Sequence, residues 1–275
     1  MGLPTHFRCE ATSLDDTFQV YVNRVARLTL PEALNTQAQH IQASPKFKQR
    51  GDGQFEASSF PGYSVITPPW AEDPGNQAFY TRLREIQQQL MAALPKQMIV
   101  PVPPETFHMT LADLIWDSTF RDASTDPKFE PHLRDRIGQI FERSQPALKS
   151  NTPAYWQILG ITLRTRSISV CLAPKDEEAY QKVVTLRRAI YQDHELMGLG
   201  IDQQYHLTAH ITLGYFGTIP AELDRDALSQ TLNNANLGLL DAGSLPPIEL
   251  YRAELRKFED MSTYYRETDW PAIEF

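Results

Sequence analysis

Cysteine is scarce: Cys9 and Cys171 are the only two in 275 residues. A disulfide framework needs more thiols than that, and so does a structural zinc site, so a reducing, cytoplasmic setting is expected. Long apolar runs are absent too. No stretch approaches the eighteen or so residues of a membrane span. The opening MGLPTHFRCEATSLDD shows no basic patch followed by an apolar segment, so no secretory signal is expected. His6 stands where the myristoylation pattern needs Ser or Thr. Positive charge is in deficit, with 26 Lys and Arg against 34 Asp and Glu, a formal net charge of −8. Binding to long nucleic acid by bulk charge relies on many cations neutralising phosphates, which this balance disfavours. A small anionic ligand remains open, because a few local donors suffice for one phosphate. The chain also lacks a G-x-S-x-G elbow, a P-loop and a G-x-G-x-x-G loop.

What is present looks like an ordinary globular protein, 41% hydrophobic and 22% charged, long enough for one large domain or two small ones. Residues 1–60 are polar and read as an N-terminal extension, and the core is expected over 61–275. GYSVITPPW (62–70) suits a strand over Tyr63–Thr67, closed by Pro68 and Pro69. Residues 76–94 place Phe79, Leu83, Ile86, Leu90 and Leu94 at helical spacing, with Pro95 as the stop. Residues 98–116 read mostly as strand, and a helix starting at Pro131 would bury Leu133, Ile137, Ile140 and Phe141. Two strands (155–164 and 167–173) and a helix (176–197) follow. Then come the stretch HLTAHITLGYF (206–216), a helix over 220–232 and a strand over 247–258. The order strand, helix, His-containing strand, helix thus occurs twice. That repetition points to two lobes related by approximate two-fold symmetry, with a cleft between them.

The His-containing strands carry the chemistry. If 206–213 is a strand, His206, Thr208, His210 and Thr212 share one face, and Leu207, Ala209, Ile211 and Leu213 share the other. The earlier stretch FHMTLADL (107–114) has the same grammar, with His108 and Thr110 opposite Phe107, Met109 and Leu111. The pair His108/Thr110 and His210/Thr212 lies 102 positions apart. Cleaving a phosphodiester needs a base to activate the nucleophile and an acid to protonate the leaving oxygen. An unperturbed imidazole, with pKa near ~6.5, can serve in either role. Entering and leaving oxygens lie on opposite sides of phosphorus, so two imidazoles must flank it, and threonine hydroxyls can bind the non-bridging oxygens. His206 and His210 are unsuited to pair with each other, because four residues of strand separate their Cα atoms by roughly 13 Å. The partner has to come from a facing strand, and His108 is the candidate.

Two His-x-Thr motifs about a hundred residues apart, each in one half of the chain, resemble the 2H phosphoesterase superfamily. That superfamily includes the bacterial RNA ligase/cyclic phosphodiesterase proteins and the plant-type cyclic nucleotide phosphodiesterases. The resemblance covers roughly residues 60–260. It implies an α+β, bilobal 2H phosphoesterase-like fold of two pseudo-symmetric antiparallel-sheet lobes with helices outside and a central cleft, with His108 and His210 as catalytic acid and base and Thr110 and Thr212 as substrate-binding residues. It further implies hydrolysis of a 2′,3′-cyclic phosphate or a related RNA-end phosphodiester, with no cofactor and no metal. Which histidine is acid and which is base stays open, and His206 with Thr208 leaves the second motif formally ambiguous. His210 is preferred because Leu213 and the following GYF continue an apolar strand, as Leu111 does in the first motif.

Competing readings remain. The same cleft could bind a nucleotide or RNA end without turnover. HLTAH has the i, i+4 spacing of a helical zinc site, but Leu207 replaces the glutamate of H-E-x-x-H and the stretch reads as strand. Arg164, Arg166, Arg252, Arg256 and Lys257 could each face an anion or form a surface ion pair. Tyr63, Trp116, Tyr215 and Phe216 could stack a base or fill the core. A monomer acting on a small substrate, away from membranes, is expected.

Overall fold

The computed structural model describes residues 15–150, 152–241 and 245–275, so His6 and Cys9 lie outside the described residues. Their elements, in chain order, are α1 (Phe18–Arg27), α2 (Pro31–Ala38), β1 (Phe47–Gln49), β2 (Phe55–Ala57), β3 (Gly62–Ile66), α3 (Gln77–Ala93), β4 (Ile99–Pro101), β5 (Thr110–Trp116), α4 (Asp117–Ala123) and α5 (Phe129–Leu148). There follow β6 (Ala154–Arg164), β7 (Ser167–Pro174), α6 (Glu177–Tyr191), α7 (His194–Gly198), β8 (His210–Phe216), α8 (Arg225–Asp241), β9 (Ile248–Leu250), β10 (Arg252–Asp260), β11 (Thr263–Tyr265) and β12 (Ala272–Glu274). No helix among the described residues is long and apolar enough to cross a membrane.

The fold is α+β, built on two five-stranded antiparallel sheets. One runs β11-β10-β3-β5 with β12 beside β10, and the other runs β4-β8-β7-β6-β9. The two sheets trade strands. β4, from the first half of the chain, pairs with β8 in the second sheet, and β10 to β12 return from the C-terminus to the first. The run expected as one strand over 247–258 is therefore two. It breaks at Tyr251, with β9 on β6 and β10 on β3. Apolar periodicity drives the helices: Phe79, Leu83, Ile86 and Leu90 of α3 are buried, as are Leu133, Ile137, Ile140 and Phe141 of α5.

Two helix caps and one long-range contact account for three departures from expectation. The helix expected over 176–197 is broken at Asp193, whose carboxylate accepts from the Glu195 and Leu196 amides and is clasped by Arg136. The helix expected over 220–232 starts at Arg225, because Asp224 accepts from the Ala227 amide. The stretch 206–209 is not strand; β8 begins at His210. Its backbone is satisfied instead by α1, where Tyr21 Oη accepts from the Ala209 amide (3.2 Å) and Arg24 donates to the Leu207 carbonyl (2.5 Å).

β5 is an edge strand, paired only with β3, and its free carbonyls need donors. Side chains of α6 supply them. Arg187 donates to the Leu111 carbonyl (2.7 Å) and Tyr191 Oη to the Asp113 carbonyl (2.8 Å). Buried Gln87 of α3 closes the other join, donating to the Val102 carbonyl (2.9 Å) and the Leu213 carbonyl (2.7 Å). Gln87→Leu should therefore lower unfolding free energy by about 2–4 kcal/mol, since two buried carbonyls lose a donor. Urea denaturation at pH 7 checks this, and a change below 0.5 kcal/mol, roughly the level of a neutral surface substitution, would contradict it.

Candidate functional site

The two sheets present their histidine motifs to one cavity of about 450 Å³. His108, just ahead of β5, and Thr110, its first residue, line one side; His210 and Thr212 of β8 line the other. All four sequence-predicted residues thus share one opening. Each imidazole is held the same way. His108 Nδ1 lies 2.7 Å from the Thr106 carbonyl and His210 Nδ1 lies 2.7 Å from the Thr208 carbonyl. A carbonyl only accepts, so each Nδ1 carries the proton and each Nε2 is left with its lone pair. The motif is accordingly five residues long, Thr-x-His-x-Thr, in both halves: TFHMT (106–110) and TAHIT (208–212).

Strand irregularities decide what else faces the cavity. Simple alternation from Thr110 would turn Ala112 and Leu114 inward. The β3–β5 pairing instead skips Leu111 and Leu114, which turns Asp113 and Trp116 to the cavity and buries Ala112 and Leu114. The β7–β8 pairing likewise skips Leu213, and Tyr215 faces the cavity. Asp113 is not a free anion: Ser64 Oγ donates to it (3.2 Å) and Tyr205 Oη donates to its other oxygen from the far side of the cleft. Tyr264 stacks edge-on against the His108 ring, with centroids 4.2 Å apart.

Two cations reach the cavity without a carboxylate in ion-pairing distance among the described residues, Arg164 and Lys46. Arg164 Nη2 lies 3.2 Å from His210 Nδ1. That nitrogen already donates to Thr208, so the guanidinium acts on the ring chiefly as a neighbouring charge. Lys46 lies immediately before β1, and nothing in its local sequence singles it out. Of the other basic residues weighed from sequence, Arg252 and Arg256 pair with Glu254, and Lys257 pairs with Glu130. Tyr63 and Phe216 are fully buried core residues, whereas Trp116 and Tyr215 line the cavity. His206 sits half-exposed at the rim, 3.5 Å from Asp16, and Thr208 Oγ1 accepts from Arg24. Among the described residues no three His, Cys, Asp or Glu side chains converge on a possible metal position.

Burial controls the charge state of the pair. It pushes His108 down to about 4. Burial, with the Arg164 charge behind it, pushes His210 down to about 3. Both rings are therefore neutral near pH 7 in the free protein, and Arg164 makes His210 the harder of the two to protonate. Burial also lowers the Lys46 ammonium to about 8.

The chain shares its fold with a bacterial protein. This is a conserved protein of unknown function from Agrobacterium tumefaciens, matched over 84% of this chain and 94% of that one at 16% identity, with a TM-score of 0.55. TT0787 of Thermus thermophilus (TM-score 0.43, 15% identity, 78% and 97% coverage) and LigT of Escherichia coli (0.37, 16%, 79% and 98%) superpose more loosely. No protein-family model and no curated protein matches the chain.

The depressed histidines have a consequence for stability. Their unfolded-state pKa is near ~6.5, and the folded values are about 4 and about 3. The unfolded chain binds more protons between those limits, so this contribution is present above pH ~6.5 and is lost as pH falls through 4. Unfolding free energy measured by urea between pH 7 and 4 should fall less steeply in the double variant His108→Asn/His210→Asn than in wild type. Parallel slopes would show that the two rings do not titrate in this way.

Proposed function

We propose that the protein is a metal-independent phosphodiesterase of the 2H type, cleaving a 2′,3′-cyclic phosphate or a related RNA-end phosphodiester with His108 and His210. The observation that carries this reading is the twinned geometry: two imidazoles, one at the entry to β5 and one at the start of β8, each with Nδ1 tied to the carbonyl two residues back, lining one cavity with Thr110 and Thr212.

In this scheme the phosphate lies between the rings, and the threonine hydroxyls donate to its non-bridging oxygens. Arg164 supplies the positive charge that offsets the phosphodiester anion. The arriving anion raises the pKa of both imidazoles, and His108, on which Arg256 acts only as a minor charge while His210 has Arg164 at 3.2 Å, takes up the proton first. His210 Nε2 then receives a proton from water as the water oxygen bonds to phosphorus. His108 Nε2 gives its proton to the ribose oxygen as the phosphorus–oxygen bond on the opposite side breaks. The product is a phosphomonoester with a free hydroxyl. The fixed Nδ1–carbonyl bonds hold both rings in the tautomer these transfers need.

Nucleoside 2′,3′-cyclic phosphates and short RNA ends with a cyclic terminus are the substrates to test, with the product phosphate followed by 31P NMR. His108→Ala and His210→Ala should each lower kcat/KM by about 10²–10⁴-fold, and turnover should persist in EDTA. Binding of the product nucleotide with no turnover in wild type would favour a non-catalytic binding cleft. Full activity in either alanine variant would sink the assignment.

The pH profile gives a separate check. The competent form holds one proton on the pair, and in the free protein that form fades above about pH 4. kcat/KM should therefore fall about tenfold per pH unit on the neutral side, while kcat, reporting the anion-bound complex, keeps a bell nearer neutrality. A kcat/KM flat from pH 5 to 8 would contradict the assigned protonation states.

A further inference from the structure

Lys46 belongs to neither histidine motif, yet it lines the same cavity. Its backbone is clamped. The Ser58 amide donates to the Lys46 carbonyl (2.9 Å), and the Lys46 amide donates to Ser44 Oγ (3.2 Å). The segment leading to it is pinned to the second sheet, with the Ser44 amide on the Phe216 carbonyl (2.7 Å) and the Gln42 amide on the Thr165 carbonyl (2.7 Å). Nζ sits 4.3 Å from the Phe60 ring centroid and 5.2 Å from that of Tyr215. Among the described residues its one side-chain hydrogen-bond partner is Met261 Sδ at 3.2 Å, a weak acceptor. A held ammonium with three donors, aromatic walls and no carboxylate partner among the described residues calls for an anion. In the two-histidine scheme the single negative charge of the reacting phosphodiester is offset by Arg164, which lies beside His210.

We propose that Lys46 is a specificity-determining residue that receives a second phosphate group, so that the substrate is a phosphodiester bearing a further phosphate, as in a nucleoside 2′,3′-cyclic phosphate that is also 5′-phosphorylated. This rests on the two-histidine reading of the cavity and names its substrate class more narrowly. Phe60 and Tyr215 hold the ammonium by their ring faces without neutralising it, so its protons stay available to the incoming phosphate. An acidic protein thereby presents a locally cationic pocket built for two anionic groups.

The test uses binding, so it does not depend on turnover. The full-length protein is titrated calorimetrically with adenosine 2′-monophosphate and with adenosine 2′,5′-bisphosphate, and both 3′ counterparts are run in parallel. Wild type should prefer the bisphosphate by about 10- to 100-fold, the range a charge-assisted hydrogen bond provides. Lys46→Met should collapse that ratio to near one, and Lys46→Arg should keep it. The charged and titratable groups around Nζ are Asp113 and Asp117, which favour the ammonium, Arg164 and Arg166, which oppose it, and His210, which is neutral near pH 7 and whose protonation Lys46 opposes. Tyr215 stays a neutral phenol, its pKa pushed above the usual range by burial. With Lys46 lowered to about 8, the wild-type preference should fade between pH 7 and 9 and persist in Lys46→Arg. Equal weakening of both ligands in Lys46→Met would place the lysine on the reacting phosphate. A bisphosphate preference that survives Lys46→Met would assign it elsewhere. Either result overturns the proposal. Failure of the two-histidine reading would show separately, as absence of hydrolysis with the binding ratio intact.

Discussion

An edge strand has to be closed before two imidazoles can share a cavity. β5 pairs on one side only, and its outward carbonyls would be costly to leave unsatisfied beneath packed protein. Arg187 and Tyr191 satisfy two of them from a helix that follows the second sheet's hairpin in the chain. Gln87 reaches from a helix of the first half to the Val102 and Leu213 carbonyls. The sheets therefore do not meet as two free lobes. Each motif strand is braced by side chains from the other half, and that bracing sets where His108 stands relative to His210. The strand exchange works in the same direction, since β4 lies on β8 only eight residues before Thr110 opens β5.

The same packing sets the electrostatics. A chain of net charge −8 would repel phosphate at long range. Inside the cleft the balance is local. The one lining carboxylate, Asp113, is engaged by Ser64 and Tyr205, while Arg164 and Lys46 lack acidic partners among the described residues. Desolvation keeps both histidines uncharged near pH 7 in the free protein, so under the proposed reaction a proton would join the pair only with a bound anion. The alternative, a permanently protonated imidazole pair in a closed cavity, would carry an unpaired burial cost in the free protein.

Much of this was legible in the residues, for identifiable reasons. Helical periodicity in α3 and α5 and the twin His-x-Thr runs are local signals, and the structure places those side chains where periodicity sends them. What local pattern cannot carry is register. The skipped residues Leu111, Leu114 and Leu213 turn Asp113, Trp116 and Tyr215 into the cavity, against simple alternation. Nor does periodicity show that 248–260 serves two sheets, because the break at Tyr251 is set by which strand edges are open. His206 and Thr208 matched the motif by spacing. Their backbone is diverted to Tyr21 and Arg24, residues nearly two hundred positions away, and no spacing rule reports such a contact. The repeated threonine two residues before each histidine was the one overlooked local signal, since it marks the paired carbonyls that fix both rings.

The N-terminal stretch through Lys46, which sends Tyr21, Val25, Leu34 and Ile41 into the hydrophobic core, is the hardest part to read and the most consequential for the second motif. Its residues are polar, which in sequence suggests a solvated arm, yet the polarity is spent on particular backbone groups. Tyr21 Oη donates to the Leu172 carbonyl and accepts from the Ala209 amide, bridging β7 to the residue before His210. Arg24 holds the Leu207 carbonyl and Thr208 Oγ1, and the Thr208 carbonyl in turn holds His210 Nδ1. The orientation of His210 thus depends on a chain of contacts that starts in α1. First-motif His108 has no such dependence; the Thr106 carbonyl that holds it belongs to a short turn closed on itself, with Thr106 donating to the Pro103 carbonyl. Two motifs alike in sequence are therefore supported differently. The one that leans on α1 is also the one beside Arg164 and Tyr215, on the side of the cavity that Lys46 enters.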